Sequence, residues 1–321
     1  MRGQRKALAC AIGALVGLGL GSAVAAPLPA PEIFAPGVVS GGANDGAPTF
    51  SPDGRTLYFE RTNSKWTAVL ESRRTAKGWT KPVLAPFSGE ASDQQPSFSP
   101  AGDYLVFVSS RPLPGGDAAA PKFANHLYRV DRTRDGWSKP RELSATVNIS
   151  NRVFKPSVAA NGDLYFMSDV GSGGGPKWRL FVARRHGETY DKAEPLPFSG
   201  PDDGDVDPFI APDQSYLIFS SNTRGPQKDG HEHLFRVRRD GAGWSAVEPV
   251  RYAGDDLGAD DGEAQVSPDG RWLYFTSSRI LPMPRLRDRP TALRALDRMN
   301  AWDNSNSNAW RLPMSALAPP V

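Results

Sequence analysis

One short pattern occurs five times along the chain, and it restricts the possible fold more than any other feature of the sequence. Each copy passes through an apolar residue and a Ser-Pro-Asp-Gly turn, or a variant of it, and ends on Leu-Tyr-Phe or a similar triplet. The five apolar anchors are spaced by 48, 60, 52 and 56 residues, which is the period of a β-propeller blade with insertions. These anchors are Phe50, Phe98, Val158, Ile210 and Val266.

Each copy predicts four antiparallel strands. The apolar anchor lies in a short first strand, the Pro-Asp-Gly turn follows, and the Leu-Tyr-Phe triplet begins a second strand rich in aromatic and aliphatic residues. A third strand ends at a Gly-Trp turn, and a short edge strand completes the unit. We interpret the turn aspartates Asp53, Asp213 and Asp269 as turn formers. We interpret Trp79, Trp137 and Trp244 as packing between blades.

The two ends of the repeat array are incomplete in a complementary way. The last copy stops after its third strand, near Leu317, whereas residues 31–39 resemble the fourth strand of the other copies, such as residues 81–87. The N-terminal strand should therefore complete the last blade and close the ring. The predicted fold class is all-β: a single β-propeller of five four-stranded blades over residues 26–321. A ring of six blades is the alternative, and it would require a further copy of the repeat.

The pattern Ser-Pro-Asp-Gly-x-x-Leu-Tyr-Phe-x-Ser-x-Arg resembles the TolB-type, WD40-like (PD40) propeller repeat. The copies that begin at Pro48, Pro96 and Ala264 match it well, and those at Pro156 and Pro208 are degenerate. The resemblance implies a propeller and an exported bacterial protein. It does not define a function, because propellers support many unrelated activities.

Residues 1–25 have the features of a signal peptide. Three basic residues precede an apolar stretch, and Ala23-Val24-Ala25 forms a cleavage site. Cleavage would remove these three of the 38 basic residues and leave 35 against 35 acidic residues, so no basic excess indicates nucleic-acid binding. The only cysteine, Cys10, would also be removed, which excludes disulfides and thiolate chemistry. We therefore expect a periplasmic or secreted protein that does not span the membrane after cleavage and is a monomer.

The face opposite the Pro-Asp-Gly turns carries long, dissimilar loops, where binding is expected on a rigid scaffold. The residue just before each first-strand proline, or its equivalent, varies between copies and should surround the mouth of the central channel on this face. We predict ligand contacts for four of these residues and for two arginines that follow second strands. These residues are Gln95, Lys155, Asp207, Glu263, Arg111 and Arg279.

A second set of residues, three positions before the same prolines, is aspartate in four of the five copies: Asp45, Asp93, Asp205 and Asp261, with Val153 in the third copy. This recurrence indicates a loop cap or a link to an arginine of the neighbouring blade. The acidic loops 202–207 and 255–263 could alternatively bind Ca²⁺, with Asp205, Asp207 and Asp261 as weak candidate ligands. His231-Glu232-His233 is a weaker candidate for part of a zinc site. No cofactor is otherwise expected.

The insertion at residues 279–308 is basic and predicts a short helix over Thr291–Met299, preceded by Pro290. It could be a lid on the last blade, a flap that selects an anionic group, or a docking element. Together these features predict a binding protein that recognises a protein or an envelope polymer at the loop-rich mouth, with no catalytic residues. The alternative is a carbohydrate-active enzyme that uses acidic residues at the same mouth, as five-bladed glycosidases do.

Overall fold

The computed structural model describes residues 28–63, 65–112, 124–171, 175–225, 229–282, 285 and 288–317. Within these residues the chain forms five blades of antiparallel strands, which confirms the predicted five-bladed propeller. The predicted signal peptide, residues 1–25, and most of the loop 111–123 lie outside the described residues.

The first two blades show the complete repeat. After the short strand β1 (Glu32–Ile33), blade one contains β2 (Asn44–Phe50), β3 (Thr56–Thr62), β4 (Thr67–Thr75), β5 (Gly78–Trp79) and β6 (Val83–Leu84). Blade two contains β7 (Asp93–Phe98), β8 (Tyr104–Ser109), β9 (His126–Thr133), β10 (Gly136–Trp137) and β11 (Arg141–Glu142). In each blade the third strand pairs with both the Gly-Trp strand and a fourth strand of only two residues.

The remaining blades follow the same plan. Blade three contains β12 (Val153–Val158), β13 (Leu164–Asp169), β14 (Trp178–Ala183), β15 (Arg185–His186), β16 (Thr189–Tyr190) and β17 (Glu194–Pro195). Blade four contains β18 (Asp205–Ile210), β19 (Tyr216–Ser221), β20 (His233–Asp240), β21 (Gly243–Trp244) and β22 (Glu248–Pro249). Blade five contains β23 (Asp261–Val266), β24 (Trp272–Ser277) and β25 (Asn308–Pro313), followed by a 3-10 turn at Met314–Leu317.

The ring closes as the sequence predicts. The strand β1 supplies the fourth strand of blade five by pairing with β25, with Glu32 opposite Arg311 and Ile33 opposite Trp310. Phe34 follows β1 and packs edge-on against Phe50 and Tyr274 of the two blades that meet there. The N-terminal segment therefore joins the last blade to the first.

The apolar core is divided into five clusters, one between each pair of adjacent blades. The Gly-Trp tryptophans belong to these clusters, as predicted. Trp137, for example, lies within 6.2 Å of the ring centroids of Tyr58, Phe87 and Phe98, and its Nε1–H donates to the Tyr58 hydroxyl. Because each cluster is shared by two blades, blade packing fixes the position of every first strand around the channel.

The Pro-Asp-Gly turns also have their predicted role. The Asp53 carboxylate accepts hydrogen bonds from the Ser51 hydroxyl (2.6 Å) and the Arg55 N–H (3.0 Å), and Gly54 has φ +65°. Asp213 and Asp269 accept equivalent bonds in their own turns. These carboxylates are therefore occupied within the turns.

The insertion in blade five forms the helix α1 (Arg289–Ala301), which is longer than the predicted two turns. Asp288 caps its N-terminus by accepting from the Thr291 N–H at 2.8 Å, and Pro290 lies in the first turn. Ala295 faces the body of the protein, and Trp302, just after the helix, packs edge-on against Trp310 at 5.6 Å. The predicted helix is thus confirmed and is anchored to the last blade.

Candidate functional site

Every innermost strand is interrupted by a β-bulge at the same repeat position. The strand register shifts there in all five blades, between Gly46 and Thr49 in blade one and at the equivalent places in the others. The bulge residue is never glycine, yet its φ lies between 45° and 56° in every blade. Left-handed backbone in such residues is unfavourable and persists only where the surroundings enforce it. The five bulge residues are Ala47, Gln95, Lys155, Asp207 and Glu263.

The surroundings enforce this conformation by capping each bulge N–H with a side chain of the preceding blade. The Gln95 N–H donates to Glu60 Oε2 at 2.9 Å, and the Lys155 N–H donates to Gln95 Oε1 at 2.8 Å. Further round the ring, the Asp207 N–H contacts the Met167 sulfur at 3.4 Å, and the Glu263 N–H donates to Asp207 Oδ2 at 3.1 Å.

The ring of caps is completed between the last blade and the first. The Ala47 N–H donates to Glu263 Oε2 at 2.8 Å and to Thr276 Oγ1 at 3.0 Å. Each blade thus receives a cap from its predecessor, and the cap pattern closes only when the ring closes.

Four of the predicted contact residues therefore come together around the channel, and three of them have a structural task as well. Gln95, Asp207 and Glu263 act as caps, and Gln95 Nε2 also donates across the channel to Glu263 Oε1 at 3.0 Å. The residue type at the bulge position varies between blades, partly because the cap is supplied in some blades by the bulge side chain and in others by the residue after the second-strand phenylalanine.

Lys155 is the exception among these residues, because its ammonium group has no hydrogen bond or ion pair among the described residues. The side chain is nevertheless buried, with 3% of its surface exposed. Its positive charge lowers the pKa of both Glu60 and Asp207 and only partly offsets the opposing effects there. Lys155 is thus a buried cation close to acidic groups but not paired with any one of them.

Arg111 and Arg279, which the sequence predicts as ligand contacts, are each paired with a buried aspartate of their own blade. Arg279 donates to both oxygens of Asp261 at 2.8 and 2.9 Å, and its side chain is 2% exposed. Its guanidinium also lies 5.2 Å from the ring centroids of Tyr252 and Phe275. Arg111 is paired in the same way with Asp93. Both arginines are thus occupied by the scaffold.

These Asp–Arg pairs explain the recurrent aspartates. Asp45 pairs with Arg61 at 2.6 Å and Asp205 with Arg224 at 2.7 Å, and each arginine belongs to the same blade as its aspartate rather than to the neighbouring blade. The exception in blade three affects both partners, since Val153 replaces the aspartate and Val170 stands at the position of Arg111 and Arg279.

The three candidate metal ligands are consequently not grouped around one point. Asp205 and Asp261 each form an arginine pair, whereas Asp207 faces the channel. His231 and His233 contact the separate carboxylates of Asp260 and Asp229. In the part of the chain that the structure describes, no three His, Cys, Asp or Glu side chains are arranged to hold a metal ion.

A cavity of about 260 Å³ opens on the loop face between blades one, four and five, and we call it the mouth cavity. Six acidic residues and no lysine, arginine or histidine contribute to its wall. Its lining comprises Asn44, Asp45, Gly46, Glu60, Thr62, Asp207, Glu232, Asp260, Gly262, Glu263, Thr276 and Ser307.

Two glycines keep the mouth cavity open. A methyl group on Gly262 would lie 2.7 Å from Asp207 Oδ2 and 3.3 Å from Glu232 Oε2. A methyl group on Gly46 would lie 2.5 Å from Glu263 Oε2. Both distances to carboxylate oxygens are too short for a real contact, so only glycine leaves these acidic groups in place.

The acidic groups of the mouth cavity hold their protons more tightly than ordinary carboxyls. Burial, followed by repulsion from Glu263, raises the pKa of Asp207 to about 7. Burial, followed by repulsion from Asp207, raises the pKa of Glu232 to about 8. Burial also raises the pKa of Glu60 well above its ordinary value. Burial and mutual repulsion therefore outweigh the single nearby positive charge of Lys155 at Glu60 and Asp207.

Two of these acids, Glu60 and Glu232, were absent from the sequence prediction. Glu60 follows the second-strand phenylalanine Phe59, and aligning that position in all copies would have placed it beside the channel. Glu232 lies inside the His-Glu-His segment, where the two histidines suggested a metal site instead. No local sequence signal brings Glu232 next to Asp207, because Asp207 lies in the first strand of blade four and Glu232 directly precedes the third strand.

The opposite end of the channel has different chemistry. A cavity of about 230 Å³ on the turn face is lined by the five apolar anchors and by prolines of the turns, including Pro52 and Pro212. The channel is therefore acidic at one end and largely apolar at the other, and the hydrogen bond between Gln95 and Glu263 crosses it.

Most of the exposed large apolar side chains lie on the loop face. Seven of the ten large apolar residues exposed in the described part of the chain lie on the loop face: Trp66, Val170, Leu257, Ile280, Leu293, Leu296 and Met299. Three of these form an outward stripe on α1, where Leu293, Leu296 and Met299 are each about half exposed. The segment after α1 returns to the mouth cavity at Ser307, whose carbonyl accepts from the Asp45 N–H at 2.8 Å.

The comparisons with known proteins give structural similarities only. No family model and no curated protein sequence match the chain. Among solved structures, a protein assigned as TolB from Agrobacterium tumefaciens is similar, with 16% identity, a TM-score of 0.48 and coverage of 84% of this chain and 90% of that one.

Two further solved structures show the range of proteins that share this architecture. TolB from Acinetobacter baumannii has 13% identity and a TM-score of 0.45, with coverage of 84% of this chain and 54% of that one. A thermostable family-43 glycoside hydrolase has 15% identity and a TM-score of 0.48, with coverage of 74% and 85%. All three TM-scores are below 0.5, so these structures do not define a function for the chain.

No helix among the described residues is both long enough and apolar enough to cross a membrane.

Proposed function

We propose that the chain is an exported binding protein whose loop face docks a protein partner. The observation that carries the proposal is the concentration of exposed apolar side chains on that face, seven of the ten described. Exposed apolar groups that cluster on one side of a protein mark interaction surfaces, whereas scattered ones do not. The predicted signal peptide supports a periplasmic or secreted location.

The outward stripe of α1 is the centre of the proposed docking surface. An amphipathic helix normally turns its apolar face toward the core, but α1 turns the small Ala295 inward and leaves Leu293, Leu296 and Met299 outside. Burial of these three side chains by a partner would remove apolar surface from water, which is the main favourable term in association. We propose that the unbound chain is a monomer, because β1 closes the only blade that would otherwise lack its fourth strand.

A capture experiment with two matched variants tests this proposal. The baits are residues 26–321, a variant with Leu293→Gln, Leu296→Gln and Met299→Gln, and a control with Val83→Gln and Leu84→Gln. The control residues are equally exposed but lie at the outer edge of blade one. We expect an envelope protein that the wild type and the control retain and the α1 variant loses. Its direct binding should then be measured with purified protein, and the affinity should fall at least ~10-fold in the α1 variant.

All baits must first show the same melting temperature within a few degrees. Equal retention of every captured protein by the wild type and the α1 variant would contradict the proposal. Loss in the control and the α1 variant alike would also contradict it, because the effect would then not belong to the loop face.

A carbohydrate-active enzyme remains the second candidate because of one geometric observation. Asp207 Oδ2 and Glu232 Oε2 both lie beside Gly262, and the two distances given above limit their separation to at most about 6 Å. Retaining glycosidases place their two carboxyl groups roughly 5 Å apart, with one group kept protonated as the acid. Under this alternative, Glu232→Gln would abolish release of reducing sugar from an envelope glycan while partner capture remained intact.

A further inference from the structure

We propose that the mouth cavity is a receptor pocket for one basic side chain of the docked protein, a lysine ammonium or an arginine guanidinium. This inference rests on the proposed function, because it names the chemistry with which the partner reaches the centre of the loop face. The occupant would be a cation with several N–H donors, surrounded by carboxylate acceptors.

The charge balance of the mouth cavity supports a cationic occupant. Of its six acidic residues, Asp45 is neutralised by Arg61, and Asp260 contacts His231. The other four, Glu60, Asp207, Glu232 and Glu263, have no ion pair with a basic side chain among the described residues, and the nearby Lys155 offers a single positive charge. Buried carboxylates without counter-ions are costly, and a bound cation would relieve that cost.

One buried polar group beside these acids lacks a partner among the described residues, which indicates that a polar ligand belongs there. It is the hydroxyl of Ser220 and not the nearby Lys155, whose positive charge already acts on Glu60 and Asp207. The Ser220 hydroxyl is fully buried and has no hydrogen-bond partner. It lies 3.6 Å from the point at Gly262 that is also 2.7 Å from Asp207 Oδ2. Buried polar groups are normally satisfied, so the Ser220 hydroxyl marks an incomplete site.

The size and the position of the mouth cavity fit one side chain rather than a larger ligand. A volume of about 260 Å³ is below the usual range of roughly 300–1,000 Å³ for small-molecule pockets. Ser307, in the segment that follows α1, lines the cavity, so a partner docked on the α1 stripe is expected to reach it. A buried charge at the centre with apolar contacts around it is a common arrangement of interface hot spots.

Proton release gives the pocket a characteristic pH dependence. Asp207 and Glu232 are partly protonated near neutral pH, and a cation must displace their protons before it can bind the carboxylates. Affinity should therefore rise by at least about tenfold between pH 6 and pH 8.5, which is the change expected from loss of the Asp207 proton alone, while lysine and arginine side chains stay charged. A neutral side chain of the same length should show no such rise.

Three small probes test the pocket directly, without the partner. Nα-acetyl-lysine amide, Nα-acetyl-arginine amide and the neutral Nα-acetyl-norleucine amide are titrated into residues 26–321 by calorimetry at pH 6 and pH 8.5. The variant is Glu232→Gln, whose side chain caps no bulge, and the matched control is the exposed Glu188→Gln. We expect one or both basic probes to bind the wild type and the control, at least ~10-fold more weakly to Glu232→Gln, and more tightly at pH 8.5.

The results separate this proposal from the proposed function. If neither basic probe binds the wild type, or norleucine amide binds equally well, the pocket proposal is overturned even if the α1 variant still loses its partner. Binding that is unchanged by Glu232→Gln overturns it as well. If the basic probes bind as expected but no protein is captured through α1, the pocket stands and the proposed function fails.

Discussion

At the scale of single residues, the buried Asp–Arg pairs show how the blades hold charge in their interior. Asp261 and Arg279 are almost fully buried, and the guanidinium lies among three aromatic rings, including Trp310 at 5.4 Å. Removal of one partner from such a pair leaves an unpaired buried charge, whereas removal of both does not. In blade three, valines occupy both positions of the pair, Val153 at that of the aspartate and Val170 at that of the arginine.

The substitution Arg279→Val should therefore destabilise the protein by about 3–5 kcal/mol, and the double variant Asp261→Val, Arg279→Val should be more stable than the single one. Chemical denaturation measured by tryptophan fluorescence checks both values. Arg61→Val is the matched comparison, because Arg61 is 37% exposed and its removal should let water reach the buried Asp45. A double variant no better than the single variant would show that the pair contributes more than charge compensation.

At the scale of secondary-structure elements, the two-residue strand β1 closes the ring. It makes only two residue pairs with β25, so most of its hold must come from the side chain of Phe34. That ring is 4% exposed and lies 4.8 Å from Tyr274 and 6.0 Å from Trp79. The closure thus depends on an aromatic contact more than on backbone hydrogen bonds.

Phe34→Ala should cost about 3–5 kcal/mol of unfolding free energy, because it leaves a cavity between blades five and one. Glu32→Ala, which removes the exposed ion pair with Arg311 on the same strand, should cost less than about 1 kcal/mol. Thermal unfolding of the two variants measures the difference. Similar small losses for both would mean that β1 does not fasten the ring.

The sequence predicted the strands of each blade well, because alternation, turn residues and the repeat all pointed to the same elements. It did not predict the bulges, because Ala47, Gln95, Lys155 and their equivalents carry no glycine or asparagine that would signal left-handed backbone. The caps that enforce the bulges come from the preceding blade, 60 residues away along the chain for Lys155 and Gln95 and 216 residues away for Ala47 and Glu263. Such a contact becomes visible only once the blades are placed side by side.

The dependence on contacts between distant parts of the chain also explains why the candidate site could be predicted only in part from the sequence. Gln95, Lys155, Asp207 and Glu263 were predicted to meet at the channel because the repeat alignment places them at one level. Arg111 and Arg279 occupy equivalent positions too, but the alignment could not show that Asp93 and Asp261 take up their charges. A sequence repeat therefore predicts which position of the blade a residue occupies better than it predicts where the side chain of that residue points.

At the scale of the whole molecule, the acidic groups from blades one, four and five become neighbours only when the ring is closed. Asp207 and Glu232 have pKa values of about 7 and about 8 in the folded chain, against ordinary values near 4 in the unfolded chain. The folded state therefore holds more protons than the unfolded state between these limits. The contribution of these two groups to the free energy of unfolding is therefore largest below about pH 4. It is lost as the pH rises through 7 to 8.

The melting temperature of residues 26–321 should accordingly fall by roughly 5–10 °C between pH 5 and pH 9. Asp207→Asn should flatten this dependence, and it preserves an oxygen that can accept from the Glu263 N–H. Asp53→Asn serves as the control. Hydrogen bonds lower the pKa of Asp53, so the contribution of this residue to stability changes with pH in the opposite direction. The idea fails if the slope of melting temperature against pH is the same in the wild type and Asp207→Asn.

The pairing of β1 with β25 also means that the first and the last strands of the propeller are next-door neighbours. A peptide linker could join them, and a new opening could be cut in the connection between any other two blades. The resulting circular order of blades would be unchanged, and so would the direction in which each blade caps the next. The capping therefore runs in one direction around the ring, but any blade could be the first in the sequence. The position of the chain termini is not fixed by the five-bladed architecture.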